Sequence, residues 1–316
     1  MENNKPTFSD LFEHTINFPD PDMHERYNLL IGLDQTKETL KKILGLLINP
    51  DGVNEWANKY HPNANLILNF VTRRPPLIVL AGDVGSGKSE LAYTIGDAVA
   101  RQQNIDVELF PLSLATRGQG RVGQMTQLIS SAFEYTLERA KKLKNTSGKS
   151  RGAVILLVDE ADALAQSRES DQMHHEDKAG VNAFIRGIDS LGNGKFPAAV
   201  IMCTNRPNSL DPAIRRRAAE IVYFKRPSDE ARQAVLSDPL SELGFSQADI
   251  KIIVEMTGPR NDREYGFTFS DIVQRLIPSL VLDAYPDSAI DPKRAIAITE
   301  SILPTAPFKE MSNHGK

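Results

Sequence analysis

The stretch "LIVLAGDVGSGKSELA", residues 77–92, decides the fold of this chain. An apolar run, 77–81, enters a loop with three glycines, and the loop ends at a Lys-Ser pair that opens a helical pattern. The spacing G-x-x-x-x-G-K-[ST] between a strand and a helix is the arrangement in which a backbone cradles phosphates. We therefore expect a strand, a phosphate-binding loop and a helix, and with them an α/β fold.

The loop residues suit an anion for separate physical reasons. Gly85 and Gly87 let backbone N–H groups turn toward a phosphate without an interfering Cβ, and the helix N-terminus adds partial positive charge. Lys88 is expected at the β- and γ-phosphates of ATP, and the Ser89 hydroxyl at Mg²⁺. The sequence predicts these nucleotide-binding residues: Gly82, Asp83, Val84, Gly85, Ser86, Gly87, Lys88, Ser89 and Glu90.

A second apolar strand pattern, "AVILLVDEADAL" at 153–164, delivers two carboxylates at its end. Asp159 is expected to hold Mg²⁺ through water, and Glu160 to orient and polarise the attacking water. The two acidic residues could instead cap the next helix. The presence of Lys88 in the same chain favours the catalytic interpretation.

Strand-like apolar runs alternate with amphipathic helical patterns along the first two thirds of the chain. This alternation predicts parallel βαβ units in a three-layer α/β sheet domain. The runs lie at 77–81, 107–112, 153–158, 198–203 and 221–224.

After Pro227 the strand patterns stop, and Ser228, Ser246 and Asp291 stand where helix N-caps are expected. We therefore predict a small all-helical lid domain at the C-terminal end. The predicted organisation is an arm or linker, loosely held, at 1–26, an α/β ATPase domain at 27–226 and the helical lid at 227–316.

Composition excludes several classes of protein. The 316 residues carry a net charge of −4, without the basic excess of a dedicated nucleic-acid binder. The one cysteine, Cys203, excludes an internal disulfide and suits packing within a strand. No segment approaches the roughly 20 apolar residues of a membrane span, and no signal peptide is visible. The expectation is a cytoplasmic protein without a membrane segment.

Three further segments resemble those of the AAA+ ATPases. "LIGLDQTKETLKK" (30–42) is similar to the segment ahead of the family's first strand, which implies that Ile31 and Gly32 pack on adenine. "VIMCTNRP" (200–207) is similar to the strand that ends in a polar sensor, which implies that Asn205 helps to position the attacking water. "SLDPAIRRRAAEIVYFKRPS" (209–228) resembles the segment with the arginine finger, an Arg that enters the neighbouring subunit's ATP site.

Within this family, the chain is most similar to the pachytene-checkpoint ATPases, which remodel HORMA-domain proteins. The similar features are a long helical pattern after Gly123, the helix "AGVNAFIRGIDSL" (179–191) and the pattern D-x-A-x-x-x-R-A. Bacterial members accompany anti-phage systems built on a cGAS-like nucleotidyltransferase. The resemblance implies a homo-oligomeric ring, commonly a hexamer, that hydrolyses ATP and acts on a protein substrate.

The resemblance leaves two residues open as the finger. Alignment on the R-A pair selects Arg217, whereas alignment on the commoner R-x-G-R pattern selects Arg216. Three consecutive arginines could also be a solvated surface. Their place between the sensor strand and the next strand favours a finger.

The chain departs from its relatives in two places. In relatives that thread polypeptide, the loop after the second strand carries an aromatic residue, but that position here is Gly118 in "SLATRGQGRVGQM". The second sensor position is Ser270 rather than Arg, with Arg275 one and a half turns later. The pore-facing residues implied by register are Arg117, Gly118, Gln119, Arg121 and Val122.

The sequence argues against several other functions. A helicase with the "DEAD" tetrapeptide needs a second α/β domain, for which the chain after Lys225 is too short. A clamp-loader or initiator ATPase remains an alternative, although no basic stripe supports it. The intact Lys88, Asp159, Glu160 and Asn205 argue against a non-hydrolysing scaffold. A metal site among adjacent side chains of the polar segment 167–180 is disfavoured, and a second pore loop or a solvated segment fits better.

Overall fold

The structure, a computed structural model, describes residues 7–12, 14–113, 124–145, 149–165, 175–192, 194–261 and 263–308. These residues form two compact units. The first takes its residues from 1–28, 35–81 and 89–223, and the second from 29–34, 82–88 and 224–316. The second unit therefore includes two short segments, 29–34 and 82–88, from within the predicted α/β domain. The predicted domain bounds at 27–226 and 227–316 stay a prediction.

A six-stranded, mostly parallel sheet forms the centre of the first unit. Its order is β1-β3-β4-β5-β2-β6, where β1 pairs antiparallel with β3, and the pairs β3–β4, β4–β5 and β5–β2 are parallel. The α/β fold predicted from the sequence is confirmed. The strands are β1 (Ile16–Phe18), β2 (Leu77–Gly82), β3 (Asp106–Ser113), β4 (Gly152–Asp159), β5 (Ala198–Thr204) and β6 (Ala218–Phe224).

The central strands are buried on both faces. Every residue of β2 and β5 is buried, as is every residue of β4 before Asp159. A strand that is covered on both sides has to be apolar at every position rather than at alternate positions. The continuous apolar runs therefore predicted these strands to within about two residues of their ends.

The N-terminal segment differs from the loosely held arm that its polar composition suggested. Residues Phe8–Leu11 form a short helix, α1, and β1 extends the sheet at its edge beside β3. Phe12 and Phe18 are buried, and the Phe12 ring lies 5.1 Å from that of Phe110. A few buried apolar side chains hold this segment in place. The polar composition of residues 1–26 as a whole gave no indication of this packing.

The first unit also contains the remaining helices before β6. The Phe133 and Phe184 rings meet edge to face between two of them, with centroids 5.5 Å apart. Helices α4 and α5 lie in a stretch for which the sequence predicted no element, and they expose Trp56 and Phe70. The helices are α2 (Pro21–Asn28), α3 (Asp34–Ile48), α4 (Pro50–Tyr60), α5 (Asn65–Thr72), α6 (Lys88–Gln103), α7 (Gln124–Leu143), α8 (Asp162–Ala165), α9 (His175–Leu191) and α10 (Pro212–Arg215).

The buried carboxylate of Asp97 joins the N-terminal segment to α6. It accepts hydrogen bonds from the Asp20 N–H, from His24 Nδ1 and from Arg101 Nε, each 2.8 Å long. Burial raises the pKa of Asp97, but the hydrogen bonds from Arg101, Asp20 and His24 outweigh burial, so that its pKa lies below the ordinary value.

The second unit is helical after Phe224. The predicted caps are present: Ser228, Ser246 and Asp291 each accept a hydrogen bond from a first-turn N–H. No helix in the described part of the chain is long and apolar enough to cross a membrane. The helices are α11 (Asp229–Glu242), α12 (Gln247–Thr257), a π-helix (Asp271–Leu276), α13 (Ile277–Ala284) and α14 (Pro292–Ser301).

Candidate functional site

The phosphate-binding loop, residues 82–88, has the backbone that its glycines predict. Gly82, Gly85 and Gly87 adopt φ values of 153°, 72° and 93°, which side-chain-bearing residues rarely take. A Cβ on Gly82 would lie 2.2 Å from the Phe224 carbonyl oxygen, and one on Gly85 would lie 2.7 Å from Thr268 Oγ1. Glycine is therefore required at both positions.

The Lys88 ammonium lies inside the curl of this loop. Lys88 Nζ donates to the Gly82 and Asp83 carbonyl oxygens at 2.9 and 2.7 Å, and the side chain is buried. The Ser86 hydroxyl donates to the same Asp83 carbonyl at 2.7 Å. An ammonium group within a glycine-rich loop can offset the negative charge of a bound polyphosphate.

The turn at Ile31 and Gly32 belongs to the same unit as the loop. Gly32 has a φ of 81°, and a Cβ there would lie 3.1 Å from the Ala231 Cβ and 3.4 Å from Phe269 Cε1. Ile31 packs against the apolar core of the helical part. This close backbone approach is compatible with the predicted adenine contact, which stays a prediction.

The second sensor position lies directly on the loop. The Ser270 N–H donates to the Gly85 carbonyl at 3.1 Å, and the Ser270 hydroxyl donates to Gln274. Arg275 Nη1 contacts Asp271 Oδ1 at 2.9 Å and the Leu303 carbonyl at 3.0 Å. The guanidinium of Arg275 is thus engaged by its own unit, and Ser270 brings no cation to the loop.

The acidic strand end belongs to the first unit. Asp159 Oδ1 accepts a hydrogen bond from Ser89 Oγ at 3.0 Å and another from the Glu160 N–H at 2.9 Å. The structure thus brings together the two predicted Mg²⁺ ligands, and a hydroxyl beside a carboxylate is the hard-oxygen donor set that Mg²⁺ prefers. Glu160 is exposed and has a φ of 50°, which is uncommon for a residue other than glycine.

Asn205 is positioned by a residue that the sequence reasoning missed. Asp162 Oδ1 accepts from the Thr204 hydroxyl at 2.8 Å and from the Asn205 N–H at 2.7 Å, and Asp162 Oδ2 accepts from Asn205 Nδ2 at 3.2 Å. One carboxylate therefore fixes both the backbone and the amide of Asn205, the predicted sensor. Asp162 is the last acid of "DEAD", a tetrapeptide in which only the first two acids, Asp159 and Glu160, had predicted roles.

The candidate finger arginines have different surroundings. Arg217 Nε and Nη2 contact the two carboxylate oxygens of Asp189 at 2.7 and 2.9 Å, and Arg217 Nη1 donates to the Ala213 carbonyl. The hydrogen bonds that Arg217 donates to the Asp189 carboxylate raise the pKa of Arg217 above its ordinary value. Arg216 is exposed, and its guanidinium has no hydrogen-bond or ion-pair partner among the residues that the structure describes.

Glu90 and Val84 were also predicted to bind the nucleotide. The Glu90 carboxylate accepts a two-point contact from Arg26, at 2.8 and 2.9 Å, and Val84 is exposed. A role for either residue at the nucleotide stays a prediction. The five pore-facing residues between Arg117 and Val122 lie outside the described part of the chain, as do residues 166–174.

Comparison with known proteins decides the family. The model of the family "ATPase family associated with various cellular activities (AAA)" matches residues 78–226. CD-NTase-associated protein 6 of Escherichia coli (strain MS 115-1) is 62% identical over 306 residues, which are 97% of this chain and 98% of that protein. The chain belongs to the AAA ATPase family. As an AAA ATPase it binds nucleotide, and the resemblance inferred from the sequence is confirmed.

Two solved structures are similar to this AAA ATPase over nearly its whole length. One is a chain of the structure of the E. coli MS115-1 HORMA:CdnC:Trip13 complex, with 60% identity, a TM-score of 0.89, and 96% of this chain and 100% of that chain covered. The other is the structure of Rhizobiales Trip13, with 55% identity, a TM-score of 0.74, and coverage of 94% and 100%.

Proposed function

We propose that this AAA ATPase uses ATP hydrolysis to remodel a HORMA-domain protein that regulates a cGAS-like anti-phage system. The observation that carries the proposal is the 60% identity, across nearly the whole chain, with a chain of the solved HORMA:CdnC:Trip13 complex. The same similarity supports a protein as the substrate. This chain also has a loop lysine, an acidic strand end and a positioned amide, all of which a remodeller needs.

Binding of ATP is assigned to residues 82–89. The backbone N–H groups of the loop and the Lys88 ammonium bind the phosphates, and Ser89 and Asp159 hold Mg²⁺. A bound Mg²⁺ neutralises charge on the phosphate oxygens when the terminal phosphoryl group is transferred. The Ser89–Asp159 hydrogen bond supports this assignment, because it holds the two ligands adjacent.

Hydrolysis to ADP and phosphate needs a positioned water. Glu160 accepts the proton of that water as general base, and its exposed carboxylate at the end of β4 suits the role. The Asn205 amide orients the same water. Asp162 supports this role because it holds the amide in one orientation, and a fixed donor costs no reorganisation during the reaction.

We assign the finger to Arg216. The neighbouring Arg217 holds the backbone beside it in place. A finger has to extend into a neighbouring subunit, and the exposed Arg216 is free to do so within the described part of the chain. Arg217 would first have to break its two-point contact with Asp189. An ATP site that is completed by a neighbour implies a closed ring, for which we propose six subunits.

In this ring, the substrate contacts the pore-facing loop between Arg117 and Val122. Its residues are cationic and polar, and Gly118 stands at the aromatic position of threading relatives. A loop without this aromatic residue holds the substrate less firmly. Such a contact suits the local opening of a partner segment, which often costs only a few kcal/mol.

The test is capture of the partner by a variant that binds ATP without hydrolysing it. Glu160→Gln should co-elute with a purified HORMA-domain protein in ATP during size-exclusion chromatography, and should release it in ADP. Glu134→Gln, an equal change on the exposed face of α7, is the matched control and should release the partner in both nucleotides. Failure of Glu160→Gln to retain the partner in ATP would contradict the proposal.

A further inference from the structure

The phosphate-binding loop contains a carboxylate where an anion has to bind. Asp83 follows Gly82, its own carbonyl accepts from Lys88, and its side chain is only 17% exposed. Asp83 Oδ1 accepts the Val84 and Phe308 N–H groups at 3.0 and 3.3 Å. A negative charge at this position repels a polyphosphate, and the repulsion is strong where water is partly excluded.

Arg226 compensates this charge. Its Nε lies 2.8 Å and its Nη2 2.6 Å from Asp83 Oδ2. Its remaining donors reach two carbonyl oxygens of the same unit, that of Gly266 at 2.7 Å and that of Thr305 at 2.8 Å. The guanidinium also lies 4.9 Å from the centroid of the Tyr265 ring. These contacts hold the cation of Arg226 in place, at 15% side-chain exposure.

We infer that Arg226 is a positioning residue for nucleotide binding, which neutralises Asp83 and so keeps the loop receptive to phosphates. The inference rests on the proposed binding of ATP at residues 82–89. It also assigns a role to the segment 303–308, because Thr305 and Phe308 contact the same Arg–Asp pair. These contacts from the segment 303–308 hold the Arg226–Asp83 ion pair in place at the loop.

If Arg226 acts by neutralising the charge of Asp83, substitution of both residues should lower ATP affinity less than substitution of Arg226 alone. Arg226→Gln leaves Asp83 uncompensated and should weaken ATP binding by at least about tenfold. Asp83→Asn removes the repulsive charge while it keeps the shape, so its ATP affinity should equal or exceed that of the parent protein. The double variant should regain most of the affinity that Arg226→Gln loses. If Arg226 had only a structural role, Asp83→Asn would weaken binding and the double variant would regain nothing.

The experiment is calorimetric titration of ATP into the full-length protein at low and high salt, with thermal melting as a check on folding. Arg294→Gln is the matched control, because Arg294 forms an equivalent contact with Asp283 in the same unit and touches no loop residue in the described part of the chain. The loss in Arg226→Gln should shrink at high salt, as screening of a charge effect requires. If Arg226→Gln does not fold, the single variant Asp83→Asn still decides.

Three results would overturn the inference: weaker ATP binding in Asp83→Asn, no recovery in a folded double variant, or unchanged ATP affinity in a folded Arg226→Gln variant. Failure of the proposed ATP binding at residues 82–89 is distinguishable from these results, because the parent protein itself would then bind no ATP.

Discussion

Arg217 and Asp189 form a two-point ion pair between the end of α10 and the helix α9. Arg217 Nε lies 2.7 Å from Asp189 Oδ1, and Nη2 lies 2.9 Å from Oδ2. The contact occupies the Nε and Nη2 donors of Arg217, which a finger would need for a transferring phosphoryl group. The pair therefore fixes the backbone from which Arg216 projects, and it ties that backbone to α9.

The first prediction separates the two arginines. Arg216→Ala should lower the ATPase rate by about 10³-fold or more, because a finger stabilises charge on the transferring phosphoryl group, while nucleotide affinity stays nearly intact. Arg217→Ala should lower the rate less, and Asp189→Asn should reproduce the effect of Arg217→Ala. Steady-state ATPase assays and calorimetric titration provide the two measurements.

Mixing of inactive subunits tests where the finger acts. Arg216→Ala subunits keep a sound ATP site, and Glu160→Gln subunits keep a sound finger, so mixed assemblies should regain activity at some interfaces. No recovery in subunits that demonstrably co-assemble would mean that the finger acts within its own chain or is another residue. Recovery only with Arg217→Ala in place of Arg216→Ala would assign the finger to Arg217.

The second prediction concerns Lys88. Lys88→Ala should weaken ATP binding strongly, because the curl of the loop loses its ammonium group. Lys149→Ala is the control, since Lys149 also donates to a carbonyl, that of Asn104, but outside the loop. Equal affinities of both variants for ATP in calorimetry would refute the assignment of residues 82–89.

The third prediction concerns Asp162, which holds Asn205. Asp162→Ala should lower kcat with little change in KM, because the amide loses its fixed orientation. Loss of the bonds to a charged acceptor should also lower the free energy of unfolding by roughly 1–3 kcal/mol. Asn205→Ala should lower kcat similarly, and the double variant should be no slower than the slower single variant. Additive losses would show that the two residues act separately.

The fourth prediction is a pH dependence of stability that originates at Asp97. Because its pKa in the folded protein lies below the unfolded value of about 3.9, the folded protein binds fewer protons there. The stabilisation is therefore present above about pH 4, and it is lost as the pH falls through the folded pKa. Asp97→Asn should melt at a lower temperature than the parent protein at pH 7, and the difference should narrow below about pH 4.

The control for this prediction is Asp22→Asn, an exposed position of α2. Its melting temperature should follow that of the parent protein at each pH. A difference between Asp97→Asn and the parent that stays constant from pH 7 to pH 3 would show that packing, rather than charge, accounts for the role of Asp97.

Much of the fold was predictable because its signals are local. The strands β2, β4 and β5 are buried on both faces, and such strands appear in the sequence as unbroken apolar runs. The caps at Ser246 and Asp291 were predictable for the same reason. The edge strand β1 has only three residues and derives its stability from β3, far away in the chain, so no local pattern could indicate it.

The sequence could predict those site residues whose spacing is fixed by a motif. It could not predict contacts between residues that lie far apart in the chain. Lys88, Ser89 and Asp159 lie as the spacing predicts. The contacts of Asp162 with Asn205 and of Arg226 with Asp83 join residues 43 and 143 positions apart, and no periodicity encodes such pairs. Arg217 was distinguished from Arg216 only by the position of Asp189 on another helix.

Hydrogen–deuterium exchange of the HORMA-domain partner tests the central claim most directly. The partner is incubated with the parent protein or with Glu160→Gln, each in ATP and in ADP, and its amide exchange is followed by mass spectrometry. The account predicts that the parent protein in ATP raises exchange in a contiguous segment of the partner, and that Glu160→Gln binds the partner without this increase. Equal exchange with the parent protein in ATP and in ADP, in a sample that hydrolyses ATP and binds the partner, would contradict it.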